Sequence, residues 1–133
     1  MRRALAAVVA AALIGGCGFG VQSPDLFLLT RTGQGQRLTL LVGDGGTIRC
    51  NGGRARKLAD PLLLPARDLV QTLDNDAKRG LSIPAPPNSV FHYTIRFQDG
   101  TISFPDTASR AHPELAQAEL LAVQLAQQAC GLS

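Results

Sequence analysis

The sequence predicts an α+β fold, in which a five-stranded antiparallel sheet carries two helices on one face. Two segments indicate β-hairpins, because apolar and polar residues alternate on either side of a turn. Two further segments carry apolar residues along a single helical stripe. Hairpins with one apolar face and helices with one apolar stripe bury each other, which favours a two-layer domain in the element order β-β-β-α-β-β-α.

The composition sets the scale of that domain. The chain has 133 residues, of which 45% are hydrophobic and 17% are charged. This apolar content is too high for a disordered chain, and no stretch reaches the ~20 apolar residues of a membrane-spanning helix. We expect one folded domain over residues 26–133, preceded by a leader over 1–16 and a tether over 17–25.

The first three strands are predicted from short apolar segments, which cover residues 26–31, 38–42 and 47–50. A three-residue loop over 43–45 would join the second strand to the third. In the resulting register Leu40 faces Ile48, and both side chains lie on one face. Leu38 likewise faces Cys50, so the sulfur of Cys50 is expected to point into the core.

The second hairpin shows the clearest alternation in the chain. Its apolar positions, which alternate with polar residues, are Phe91, Tyr93, Ile95 and Phe97. Asp99-Gly100 is a favoured two-residue turn, after which residues 101–104 return as the partner strand. This turn would place Phe97 opposite Ile102. It would also place Ile95 opposite Phe104.

The two helices are predicted between and after the hairpins. In the first, Asp60 is the expected N-cap, Pro61 takes the first helical position, and 78–80 is the end. Its apolar stripe consists of Leu62, Ala66, Leu69, Val70, Leu73 and Ala77. The second helix is expected from Pro113 to about Cys130, with Gly131 as its stop. Its apolar stripe consists of Leu115, Ala118, Leu121, Ala122, Leu125 and Ala129.

The N-terminus has the pattern of a secretory signal. Arg2 and Arg3 precede an unbroken run of eleven apolar residues over 4–14, and small residues follow. Residues 14–17, Ile-Gly-Gly-Cys, resemble the lipobox of bacterial lipoproteins. That resemblance implies cleavage before Cys17, a diacylglycerol on its sulfur, and a domain tethered to the outer face of the cell membrane. The alternative is an ordinary signal cut near Gly18, with Cys17 incidental.

Two cysteines are left once Cys17 is assigned to the anchor. The two that remain, Cys50 and Cys130, can pair with each other in an oxidising compartment, so we expect a disulfide between them. Two free thiols are the alternative, and a metal site is less favoured because no histidine lies near either cysteine in the sequence. Without the leader, eleven basic residues face ten acidic ones. This near balance gives no reason to expect a nucleic-acid partner.

The sequence offers no constellation for catalysis. There is no G-x-S-x-G motif, and we interpret His92 and His112 as surface residues on a strand and before a helix. Asp74 and Asp76 lack the glycine and glutamate of a calcium loop and are expected to be solvated. We therefore expect no enzyme activity, no cofactor and no bound metal.

Two segments are candidate partner contacts. The loop after Cys50 carries three cations that suit anionic headgroups or an acidic partner: Arg54, Arg56 and Lys57. The segment over 82–89 is held extended by three prolines: Pro84, Pro86 and Pro87. The alternatives are a solvated connection for the first segment and a stiff spacer for the second.

The body of the chain resembles the subtilisin-inhibitor-like domains of actinobacteria. The resemblance lies in the strand over 38–50 that leads into Cys50 and the turn 51–53, and in the proline segment before Phe91. It implies a secreted, disulfide-bonded domain of five antiparallel strands and two helices. It also implies that the loop 82–89 is presented to a serine protease like a substrate. The chain departs from the family by lacking the cysteines that brace this loop, and Arg67 stands near the place of one of them.

Taken together, the sequence predicts a lipid-anchored, extracytoplasmic and non-catalytic binding module. Its expected partner is an envelope protein or a small ligand, and the lipid anchor is its contact with the membrane. A serine protease inhibitor is the first alternative. A carrier that holds a lipid or small ligand between the sheet and the helices is the second.

Overall fold

The computed structural model describes residues 25–132 as a sheet of six strands with helices on one face. The strands are β1 (Asp25–Gly33), β2 (Gln36–Gly43), β3 (Thr47–Cys50), β4 (Arg56–Lys57), β5 (His92–Phe97) and β6 (Gly100–Pro105). The helices are α1 (Asp60–Thr72), α2 (Asp74–Lys78) and α3 (Pro113–Gln124), with a 3-10 turn over Asp106–Arg110 and a π-helical turn over Leu125–Ala129. The predictions for the leader, for Cys17 and for the tether as far as residue 24 lie outside the described residues.

The sheet is open and antiparallel, with the strand order β4-β3-β2-β1-β5-β6. The predicted α+β class and antiparallel sheet are confirmed. The predicted number of five strands is wrong, because β4 adds a sixth at the edge beside β3. A two-residue strand has no alternation to detect. It forms because the next residue, Leu58, is buried in the core and its N–H donates to the carbonyl of Gly46 (2.8 Å).

The first hairpin has the predicted face but a register displaced by two residues. Leu40 pairs with Cys50, and Val42 pairs with Ile48. The loop is 44–46 rather than 43–45, because Gly46 adopts the left-handed conformation (φ +84°) that closes a three-residue hairpin loop. Since side chains alternate with a period of two, a shift of two residues leaves each of them on its predicted face.

The register of the second hairpin is also displaced by two residues, but in the opposite direction. Ile95 pairs with Ile102 and Tyr93 with Phe104, so the two-residue turn is Gln98-Asp99 and Gly100 belongs to the strand. The reason is a contact distant in sequence. The backbone carbonyl of Ala77 in α2 lies against Gly100, at the place where a side chain would begin. Gly100 is therefore required for packing rather than for turn geometry.

The first predicted helix is divided at Leu73, whose backbone (φ −99°, ψ 6°) leaves the helical region between α1 and α2. Pro61 lies in the first turn as predicted, but the N-cap is Ala59 and not Asp60. Both predicted apolar stripes face the sheet. Val70 and Ala129 are partly buried, and every other member of the two stripes is buried.

The core lies between the helices and one face of the sheet. The sheet contributes fully buried side chains from each of its five longer strands: Phe27, Leu29, Leu40, Val42, Ile48, Ile95, Ile102 and Phe104. Two aromatic pairs fill its centre. The rings of Tyr93 and Phe104 stack at 5.2 Å, and those of Phe27 and Phe97 meet edge to face at 6.0 Å.

The predicted disulfide between Cys50 and Cys130 is confirmed. Their Cα atoms lie 5.9 Å apart, and the bond joins residues separated by 80 positions. It ties the end of β3 to the turn that follows α3. Because β3 and the end of α3 are thus held together covalently, the last helix is fixed on the sheet at its C-terminal end.

We predict that replacing both cysteines, Cys50→Ser with Cys130→Ser, lowers the free energy of unfolding by about 4 kcal/mol, because the loop closed by the bond is long. Urea unfolding of the oxidised protein and of the double variant measures this difference. Equal midpoints for the two proteins would show that the bond contributes nothing to stability.

Candidate functional site

The two predicted contact segments lie at opposite edges of the sheet. Arg56 and Lys57 form β4 at one edge, and Arg54 precedes them in the loop; all three are exposed. The proline segment begins beside β6 at the other edge, where Ser82 pairs with Ser103. The structure therefore does not bring the six predicted contact residues into one site.

The proline segment is held at both ends. At its start, the N–H of Ile83 donates to the carbonyl of Ser103 (2.8 Å), and the N–H of Ser103 donates to the carbonyl of Leu81 (2.9 Å). Between the two ends Pro84 and Pro87 are exposed and Pro86 is half-buried. The segment is thus a surface loop whose first residues extend the sheet by a short parallel bridge.

Asp106 fixes the other end of this loop. Its Oδ1 accepts a hydrogen bond from the Ser89 hydroxyl (3.1 Å), and its Oδ2 accepts one from the N–H of Phe91 (3.2 Å). The N–H of Val90 donates to both carboxylate oxygens at 3.3 Å. This carboxylate therefore does for the loop what a covalent brace would do, and its partners, 15 to 17 residues away in the sequence, give no local signal of it.

A surface hollow of about 390 Å³ lies at the end of the sheet where β1 meets β2. Arg31 and Arg37 line it together with Asn51, Phe91 and Leu132. The guanidinium of Arg31 lies 4.8 Å from the centre of the Phe91 ring, a cation–π contact. Sequence reasoning missed Arg31, although the alternation Phe27, Leu29, Arg31 places it on the core face of β1.

Glu119 is the most perturbed acid of the described region. Its Oε1 is buried and has no hydrogen-bond partner among residues 25–132. Burial, and secondly the charge of Asp106, raise the pKa of Glu119 to about 7. Glu119 also affects Tyr93. The pKa of the Tyr93 phenol is raised mainly by burial, and secondly by the charge of Glu119. The carboxyl therefore titrates near neutrality at the edge of the core.

His92 and Ser103 are neighbours on the face of the sheet that the helices leave uncovered. The imidazole Nε2 and the serine Oγ are 2.7 Å apart. A base beside a hydroxyl is part of what nucleophilic catalysis needs, but a third group has to orient the base. Within residues 25–132 no carboxylate hydrogen-bonds to His92, so the pair is a cross-strand contact between β5 and β6.

The two aspartates of α2 have structural partners. Asp76, expected to be solvated, is buried, and its Oδ1 pairs with the Arg79 guanidinium at 2.7 Å. Asp74 pairs with Lys78, and the hydrogen bond from that ammonium holds the pKa of Asp74 below its usual value. In the part of the chain that the structure describes, no group of three or more His, Cys, Asp or Glu side chains is arranged to hold a metal ion.

Comparison with protein-family models, with curated proteins and with solved structures finds no significant match. No helix among residues 25–132 is both long enough and apolar enough to cross a bilayer. Among residues 25–132, three surface features are candidates for a functional site: the braced loop, the hollow lined by two arginines, and the uncovered face of the sheet.

We predict that stability falls as the pH rises from about 4.5 to about 7, because Glu119 ionises in the unfolded chain before it does in the fold. The Glu119→Gln variant lacks this loss. Since the side chain keeps some contact with solvent, we expect the variant to be more stable than the wild type by about 1 kcal/mol at pH 8 and similar to it at pH 4.

Thermal or urea unfolding across this pH range measures the effect. The matched control is Glu114→Gln on the same helix, whose carboxylate lies 3.5 Å from His112 Nδ1 and keeps 31% of its side-chain surface exposed. The control should show no gain at pH 8. The account of Glu119 is wrong if the two variants behave alike.

Proposed function

We propose that the protein is a lipid-anchored, non-catalytic binding module on the outer face of the cell membrane. The observation that carries this proposal is the division of the three cysteines. Cys17 ends the lipobox-like sequence that follows the signal pattern, and Cys50 is bonded to Cys130 inside the domain. A disulfide persists in oxidising compartments, which supports export of the domain.

The short distance in sequence between Cys17 and the first described strand supports an anchor. β1 starts at Asp25, eight residues after Cys17. An extended chain of this length spans at most ~29 Å, so an acylated Cys17 would hold the domain close to the bilayer surface. Two or more acyl chains on one protein are enough for stable anchoring.

Binding rather than catalysis is supported by the surface. The exposed features are a braced loop, a hollow with two arginines and an uncovered sheet face, and each of them suits contact with a partner. The sheet–helix interior gives no support to a carrier, because the chain's own side chains fill it. Leu29, Leu40, Ile95, Phe104 and Leu115 are each 0% exposed and belong to one contiguous core.

We predict that Cys17→Ala releases the protein from the membrane fraction, because the thioether to diacylglycerol cannot form. Fractionation of the native host and labelling with a radioactive fatty acid measure the change. The double variant Cys50→Ser with Cys130→Ser is the matched control and should keep its label. Fatty acid on the Cys17→Ala protein would contradict the anchor at this residue.

A serine protease inhibitor is a second candidate, and one observation favours it. The loop over 84–88 is exposed except at the half-buried Pro86, and hydrogen bonds fix both of its ends without the cysteines of the inhibitor family that the body resembles. An extended loop that is already ordered binds a protease cleft with a smaller entropic cost.

We predict for this candidate that micromolar protein slows at least one member of a panel of serine proteases. The variant Asp106→Ala, which releases residues 89–91, should inhibit at least tenfold more weakly, because the loop loses one fixed end. Rates that stay unchanged across the whole panel would remove inhibition as a function.

A further inference from the structure

Within residues 25–132, one face of the sheet is left uncovered by the helices. Because side chains alternate along each strand, the face opposite the core can be read from the strand pairing. Its sixteen side chains are those of Asp25, Leu28, Thr30, Thr32, Arg37, Thr39, Leu41, Thr47, Arg49, Lys57, His92, Thr94, Arg96, Thr101, Ser103 and Pro105. We call this surface the open face.

The open face carries four cations and one carboxylate, Asp25, which pairs with Gly43 where β1 begins at the edge of the face. Its four cations are Arg37, Arg49, Lys57 and Arg96, and all four are exposed. The other nine acidic residues of the chain lie in hairpin turns, on the helices and in the 3-10 turn. The net charge of the domain is close to zero, but most of its carboxylates lie away from the open face.

The register spreads these cations over a plane. Arg49, Leu41, Leu28 and Arg96 form one row across four neighbouring strands, so the two arginines lie about 14 Å apart. The adjacent row consists of hydroxyl side chains, which are Thr39, Thr30, Thr94 and Ser103. The result is a broad surface on which arginines and hydroxyl side chains can donate hydrogen bonds.

These cations have no ionic partner inside the domain. Within residues 25–132 none of the four forms a salt bridge, and Arg49 donates only to the carbonyl of Gly53 (3.2 Å). On the other side of the molecule, Arg67, Lys78 and Arg79 each pair with an aspartate. The difference leaves the charge of the open face available to an external anion.

We propose that the open face binds the anionic phospholipid headgroups of the membrane to which the protein is anchored. Phosphate oxygens accept hydrogen bonds from guanidinium groups and hydroxyls, and a plane of separated cations matches a plane of headgroups better than it matches one small ligand. The inference rests on the proposed function for its choice of a membrane, since eight residues between an acylated Cys17 and β1 would span at most ~29 Å and would keep the face near one.

This contact orients the domain. With the open face on the bilayer, α1 and α3 point away from it, and their exposed apolar side chains Leu64 and Leu120 are accessible to a partner. The acidic residues of the helices are also turned away from the anionic surface. The anchor then supplies attachment, and the open face supplies orientation.

A tryptophan reporter tests the contact, because the chain contains no tryptophan. Thr94→Trp places the reporter at the centre of the open face, and Leu120→Trp places a matched control on the exposed side of α3. Each full-length variant, purified from its host in the processed form found there, is mixed with vesicles of phosphatidylcholine alone or with added phosphatidylglycerol.

We expect the emission of Thr94→Trp to shift to the blue, and to be quenched by brominated lipid, only with phosphatidylglycerol present. The control should not change. In Thr94→Trp protein, the further change Arg96→Gln should weaken the response about fivefold, and Arg110→Gln, which removes an exposed charge from the 3-10 turn outside the open face, should not. Raising the salt to 1 M, where the Debye length is ~3 Å, should suppress the response.

Three results would overturn the inference. The first is an equal response with and without phosphatidylglycerol, and the second is an equal response at the two reporter positions. The third is a Thr94→Trp response to soluble polyglutamate but not to anionic vesicles, which would assign the face to an acidic polymer.

Intact mass of the same samples separates this inference from the proposed function. Acylated protein without a response to anionic vesicles would leave the anchor and remove the oriented contact. A response from protein that carries no acyl group would support the face as a headgroup-binding surface and would remove the anchor.

Discussion

Among residues 25–132 the helices cover only one of the two faces of the sheet, and most of the described structure follows from that constraint. All helical apolar stripes must pack on the same side, so the core is a single layer between α1, α2, α3 and the sheet. The opposite side is free to be polar. It holds threonines and cations, while the acidic residues lie on the helices, in turns and at the start of β1. Fold and surface charge are thus two consequences of one-sided burial.

Two devices hold the ends of this layer. The disulfide between Cys50 and Cys130 fixes the end of the last helix to β3. Asp106 fixes the chain that enters β5 through three donors, and its charge also helps to keep Glu119 protonated. The disulfide holds the last helix against the core, and the Asp106 carboxylate holds one end of the exposed loop. Both act on segments distant in sequence from the residues that hold them.

Sequence periodicity predicted the faces well and the registers poorly. The two hairpins keep their predicted faces because side chains alternate with a period of two, although each register is displaced by two residues. The displacement at Gly100 comes from a contact with Ala77, which no local pattern contains. The positive charge of the open face could not be predicted from the sequence either, because a net charge near zero does not say where the charged residues lie on the surface. The alternation Phe27, Leu29, Arg31 does indicate that Arg31 lies on the core face of β1, although Arg31 is not among the predicted site residues.

The central claim is that an exported domain, closed by one disulfide, is held at the membrane by an acylated Cys17. The intact mass of the wild-type protein, purified from its native host without reduction, tests this claim most directly. The account predicts a chain that begins at residue 17, carries the mass of acyl groups, and lacks the hydrogens lost in forming one disulfide. A mass that includes residues 1–16 without acyl groups would contradict it.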